Sequence, residues 1–270
     1  MSTRAIAGAA VLAAALLAAP AARAGRACDE VPLTVDGVTR GLALAEATAA
    51  ALQASGARVV VLARAGQDLS AHGLRWSHLG LAYRDTDAGV DGSAPVWRVL
   101  HKLNHCGSAD AALYRQGLGE FFLDRPHRYE AAFVPLTPAL QDALLPLLRD
   151  DARAATLDEP RYSMLAYPWA QVYQQSNQWA IETLAMAADP SVADREQAQT
   201  WLRAQGYQPT ALRIGAFTRL GARLTAANVA FDDHPDAKRF ADRIETVTVE
   251  SVFAWLGRSG LGQGRPQRVR

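Results

Sequence analysis

RVVVLARAGQDLSAHGLRWSHLGLAYRD, residues 58–85, is the stretch from which the rest of the chain is read. It parses as strand, glycine-containing loop, strand. On the second strand, alternation sets Leu79, Leu81 and Tyr83 on one face and Trp76, His78, Gly80 and Ala82 on the other. The first is a core face. The second holds a titratable imidazole beside two very small residues, which leaves room for a group to approach it. The plain alternative for His78 is a packed histidine that donates to a backbone carbonyl.

Upstream, residues 39–55 are rich in alanine and leucine and stop at Gly56, as a helix does. The strands 58–64 and 76–84 are followed by a third, 95–103. The polar loop 85–94 between the last two resembles a calcium loop only superficially, because it lacks the closing glutamate. Residues 104–124 read as irregular and 128–136 as a further strand. Thr137-Pro138 supplies a cap and first-turn proline for a helix to about residue 149. An aromatic segment, 162–173, leads into a helix over 176–188 that Pro190 ends. Ser191 caps another over 192–205, stopped by Gly206. The last third holds a short helix, a capped turn at Asp232-Asp233-His234-Pro235, and a β-branched segment at 244–249. With no repeat or linker, 25–257 reads as a single α+β domain with an antiparallel sheet. The Arg- and Gly-rich residues 258–270 are expected to form a disordered tail.

The first 24 residues carry Arg4, an apolar run and an Ala-Arg-Ala cleavage signal, the pattern of a secretory signal peptide. Cleavage after Ala24 or Ala27 fits equally. Export to the periplasm is expected, without a lipid anchor, since no leucine stands three residues ahead of Cys28. No later segment has the apolar length to span a bilayer. Lys and Arg number 28 against 27 Asp and Glu, a balance that argues against a nucleic-acid partner.

Cys28 and Cys106 are the two cysteines. In an exported chain they are expected to form a disulfide, stabilising by about 4.5 kcal/mol on the chain-entropy account. The alternative makes Cys106 a nucleophile beside His105. His101-x-x-x-His105 followed by Cys106 has zinc-like residue types, but that spacing meets only on a helix and this segment reads as strand. No metal and no cofactor are expected.

Between His78 and the helix that Ser176-Asn177-Gln178 opens lie about a hundred residues. That order resembles a circularly permuted papain-like fold, in the branch of the NlpC-type cysteine peptidase superfamily that includes lecithin retinol acyltransferase-like proteins. Ser77-His78-Leu79-Gly80 matches that branch's Ser/Thr-His-hydrophobic-Gly motif. The chain also resembles a bacterial exported family of unknown function over 77–85, 103–107, 117–124 and 176–185.

The resemblance implies a cysteine opening the helix, and in that alignment Gln178 stands in its place. A carboxamide forms no acyl intermediate. The first reading is therefore a catalytically degenerate protein that binds an envelope peptide, glycan or lipid through His78, Asn177, Gln178 and Trp179. The alternative is a peptide or acyl hydrolase or acyltransferase with Ser176 as nucleophile, His78 as base and His101 or Asn104 orienting the ring. Against it, Ser176 can serve as a helix cap and His101 as a packed residue. Tyr167, Trp169, Tyr173 and Trp179 form either a core cluster or an aromatic wall for a ligand.

Overall fold

The computed structural model describes residues 32–86 and 95–270. The segment 1–24, Cys28 and most of the loop 85–94 lie outside the described residues.

Helix α1 (Val35–Ala54) is capped by Thr34, whose hydroxyl accepts the Gly37 N–H. Strand β1 (Val59–Ala65), a 3-10 turn at Ser70–His72, β2 (His78–Asp85), β3 (Val96–Asn104) and β4 (Ala111–Gly117) follow. Next come the short helix α2 (Leu118–Phe122) and β5 (Arg128–Pro135). The middle of the chain holds α3 (Pro138–Arg149), α4 (Asp151–Ala154), α5 (Ser176–Ala188) and α6 (Arg195–Ala204). The last third holds β6 (Thr210–Arg213), α7 (Ala216–Thr225), α8 (Asp236–Arg239), β7 (Arg243–Thr246), α9 (Val249–Ser259) and β8 (Gln267–Val269).

The result is one α+β domain. Six strands make an antiparallel sheet in the order β4-β3-β2-β1-β5-β8, while β6 and β7 pair separately. β1 is central and buried along its whole length, which is why its sequence runs apolar almost without alternation. Val59, Val61 and Ala63 pack with Leu79, Leu81, Tyr83 and residues of α3, α5 and α9. Val60 and Leu62 pack on the opposite face against Leu44, Leu52, Phe121 and Phe122 of α1 and α2. The sheet is thus covered on both faces. The alternation read from the sequence holds from His78 to Tyr83, but Trp76 lies ahead of β2 and, against the expectation, packs in the core with Leu79, Leu81 and Tyr83, because the strand pleat does not extend to it.

Two further expectations are corrected. Residues 104–124 are not irregular, since β4 pairs along β3 from Ala111 to Gly117. Its residues do not alternate cleanly between apolar and polar, because β4 is the sheet edge and half-exposed. Nor is 258–270 a disordered tail. α9 continues through Ser259, and β8 adds a strand beside β5, with Ala131, Ala132 and Phe133 opposite Val269, Arg268 and Gln267. The β-branched run 244–249 divides between β7 and the start of α9, where Thr248 caps the helix by accepting the Ser251 N–H.

The motif around His78 has a mechanical explanation. Ser77 Oγ accepts the Gly66 and Gln67 N–H groups at 2.8 and 3.0 Å, closing the β1–β2 loop. Gly80 lies where β3 comes closest: a Cβ there would stand 2.5 Å from Val99 Cγ1 and 3.0 Å from the His101 Cβ. Gly80→Ala is therefore expected to cost about 1–3 kcal/mol by overpacking and to displace His101. A urea unfolding midpoint equal to the wild type would contradict this close approach.

Candidate functional site

β2 and β3 pair only from Leu81 opposite Leu100 onward. The start of β2 is left facing a cavity, and His78 lines it. Two adjoining lobes, about 240 and 180 Å³, share a wall made by Gln67, Ser77, His78, Tyr162, Met164 and Ser176. One lobe is polar, lined by Arg64, Asn104, Asp124, Arg125 and Asn228. The other is apolar, lined by Leu69, Leu74, Trp76, Leu165, Leu212 and Ile214. At the polar rim Arg125 holds a left-handed backbone, φ 39°, ahead of Pro126. Such strain in a non-glycine residue persists only where the surroundings fix it, and it clusters at functional sites.

His78 is not a histidine satisfied by a backbone carbonyl alone. Its Nε2 lies 2.8 Å from His101 Nδ1, and His101 Nε2 lies 2.9 Å from Gln116 Oε1. Burial, with the Arg64 guanidinium adding to it, pushes the His101 pKa down to about 3, so His101 is neutral at working pH. A neutral imidazole carries one N–H. With the Gln116 oxygen as acceptor, that proton sits on His101 Nε2, and His101 Nδ1 accepts the N–H of His78 Nε2. The lone pair of neutral His78 is then on Nδ1. Phe121 packs edge-on against His101 at 5.2 Å between ring centroids and helps to bury it.

Ser176 opens α5, but it does not cap it. The cap is Gln175, whose side chain accepts the Asn177 N–H at 2.8 Å. The Ser176 hydroxyl is thereby released from the structural role that its position suggested. Burial raises the Tyr162 phenol above its ordinary value, and the Ser176 hydroxyl and backbone N–H, which face its oxygen, draw it back down. Asn177 does not line the polar lobe. Its Oδ1 accepts the Leu79 N–H at 3.0 Å and its Nδ2 donates to the Val247 carbonyl at 3.1 Å. It fastens the tip of α5 beside the start of β2.

Gln178 and Trp179 line neither lobe. Gln178 points to the far side of α5 and donates to Glu182 at 3.1 Å. There it joins a buried network in which Glu182 also meets Gln174, Gln199 and Arg195, and Gln174 meets Lys102. Trp179 is core, its Nε1 donating to the Ala154 carbonyl at 3.3 Å. Tyr167 and Trp169 likewise pack on His234 and Tyr207, and Tyr173 reaches towards Asp232. The aromatic residues of the cavity are Trp76 and Tyr162 instead.

Asn104 lies on the polar rim and bonds Ser108, Asp110 and Asn228, not His78. The expected alternative of Cys106 as nucleophile is corrected: no described cysteine is free, and Cys106 sits in the exposed β3–β4 turn outside the cavity. Its expected pairing with Cys28 falls outside the described residues. His101 is buried within β3 while His105 is exposed in that turn. Among the described residues no group of three or more His, Cys, Asp or Glu is gathered for a metal.

The chain belongs to a bacterial family. The family model described as "Uncharacterized protein conserved in bacteria (DUF2145)" matches residues 51–256, a span that includes every residue of the cavity wall. Neither a curated protein nor a solved structure matches the chain.

The depressed His101 pKa makes folding pH-dependent. Unfolded, this imidazole titrates near 6.5; folded, near 3. Between those values the unfolded chain binds a proton that the folded chain does not. The His101 contribution is thus fully present above about pH 6.5 and is lost as pH falls towards 3. In His101→Gln, the drop in urea midpoint between about pH 7 and pH 4.5 should be smaller than in the wild type. Equal drops in both proteins would show that His101 is not held neutral by the fold.

Proposed function

We propose that this protein is a serine-dependent acyl hydrolase or acyltransferase acting on a carboxylic ester or amide outside the cytoplasm. The observation that carries the reading is the shared wall. Ser176, relieved of capping duty by Gln175, lines the same two lobes as a histidine whose orientation a second histidine and a glutamine fix.

In this reading Ser176 Oγ attacks the carbonyl carbon and its proton passes to Nδ1 of His78. The charge that develops on the carbonyl oxygen falls near the Ser176 backbone N–H, at the positive end of α5, and near the Tyr162 hydroxyl. His78 then returns the proton to the departing alcohol or amine as the carbonyl–heteroatom bond breaks. Water, or an acceptor alcohol or amine, attacks the acyl-serine, gives its proton to His78, and releases Ser176 with its proton restored. His101 and Gln116 touch no substrate; they orient the imidazole.

The placements also bear on the papain-like resemblance. In this reading His78 on β2, His101 on β3 and Ser176 at the tip of α5 take the parts that the resemblance implies, with Ser176 rather than Gln178 where the cysteine would stand. Export on the segment 1–24 and a Cys28–Cys106 disulfide belong to the same proposal.

A fluorophosphonate probe added to the folded protein should label Ser176, and Ser176→Ala should abolish labelling. His78→Ala should slow it by at least about 10²-fold, and Tyr162→Phe by about 10-fold to 10²-fold, in keeping with the loss of a general base and of one oxyanion donor. Labelling at another serine, or none in a folded wild type, would overturn the assignment and leave the cavity as a binding site without acyl chemistry.

A further inference from the structure

Helix α7 carries an apolar stripe on its solvent side. Phe217, Leu220 and Leu224, spaced i, i+3, i+7, are 92%, 57% and 69% exposed, and Phe240 nearby in the chain is 74% exposed. Soluble surfaces seldom leave three large apolar side chains of one helix face this bare without a partner. On its inner side α7 is anchored by Arg219, whose guanidinium bonds the Ile214 carbonyl and Asp242. Ala222 packs on a small satellite core of Leu212, Ile214, Phe231 and Ile244.

Two observations identify what covers the stripe. The first is charge. From Ala211 to Phe231 the chain has three arginines and no acidic residue. Arg219 is committed to Asp242, whereas Arg213 and Arg223 are exposed and make no ion pair among the described residues. A short helix with bare Phe and Leu and only cationic charge is the composition of a segment that lies in a lipid headgroup layer. The second is continuity. Leu212 and Ile214, which support α7 from below, are also the wall of the apolar lobe beside His78 and Ser176. A surface that docks on α7 is therefore one β-strand away from the apolar half of the cavity.

We infer that α7 docks the protein on an anionic lipid bilayer, with Phe217, Leu220 and Leu224 in the acyl boundary and Arg213 and Arg223 on the headgroup phosphates. The apolar lobe then lies close to a source of acyl groups. That last consequence rests on the acyl-transfer reading above, whereas the docking itself does not.

The test uses protein purified after export, carrying Ser176→Ala so that catalysis plays no part, in flotation with vesicles at about 0.1 M salt. Binding is expected to vesicles containing phosphatidylglycerol and at least 10-fold weaker to pure phosphatidylcholine. The Phe217→Ser/Leu220→Ser/Leu224→Ser variant should lose binding at least 10-fold with unchanged far-UV circular dichroism. Arg213→Gln/Arg223→Gln should lose the preference for anionic lipid while the apolar stripe remains. Equal binding by the parent and the triple variant would overturn the proposal. So would a parent that ignores vesicles and sediments as a dimer, with the triple variant monomeric, since the stripe would then belong to a second copy. Probe labelling of the Ser176 form is measured separately, so a failure of the chemistry and a failure of the docking cannot be confused.

Discussion

The amide of Asn177 spans two parts of the fold, accepting the Leu79 N–H at 3.0 Å and donating to the Val247 carbonyl at 3.1 Å. Leu79 follows His78 in β2, and Asn177 follows Ser176 in α5. One buried side chain therefore sets the helix tip against the strand end, and it does so with both of its polar groups satisfied, which buried amides require. Gln175 reinforces the joint by capping α5 and donating to Thr246 and Val247. Everything proposed for the cavity depends on this fastening, because acyl chemistry needs its base and nucleophile held within hydrogen-bond reach.

Behind the joint the two faces of the site are built differently. On the sheet side, Gly80 lets β3 approach, His101 sits in the space this leaves, and Phe121 and Arg64 close it. Arg64 both seals the pocket and helps to keep His101 uncharged. On the helix side, Glu182, Arg195, Gln199, Gln174 and Lys102 form a buried polar network that immobilises α5 from the rear. Burying so many charges is costly unless each is partnered, and a Glu182→Leu change would strand Arg195. Such a network holds α5 rigidly, as the proposed role of Ser176 requires.

Much of the sheet was legible in the sequence because its strands follow simple rules. β1 is a buried apolar run, β2 alternates, and both come out where the pattern puts them. His78 could be singled out because it is a polar residue on a strand that otherwise has no use for one, whereas Ser176 stood where a cap is expected and only the structure shows that Gln175 does the capping. Gln116 could not be singled out. It lies on edge strand β4, which lacks the alternation that marks a half-buried strand, and its role exists only through His101 on the neighbouring strand. Tyr162 was masked by the aromatic residues around it, which are core. Gln178 misled in the opposite sense: two residues along a helix separate its faces, and Gln178 lies on the back of α5 with Glu182 rather than on the cavity. The stop of α9 and the return of β8 to the sheet were hidden by a Gly- and Arg-rich composition that also suits disorder.

The directional chain from Gln116 through His101 to His78 is the claim on which the catalytic account stands or falls. Long-range ¹H–¹⁵N correlation NMR of the histidine rings reports it directly. The account requires the neutral form of both rings to carry the proton on Nε2, so that His78 Nδ1 gives the shift of an unprotonated, pyridine-type nitrogen, and Gln116→Glu should change the His101 signals before those of any other histidine. A proton found on Nδ1 of neutral His78, or a charged His101 at about pH 7, would contradict the account, because His78 would then have no lone pair on Nδ1 with which to take the proton of Ser176.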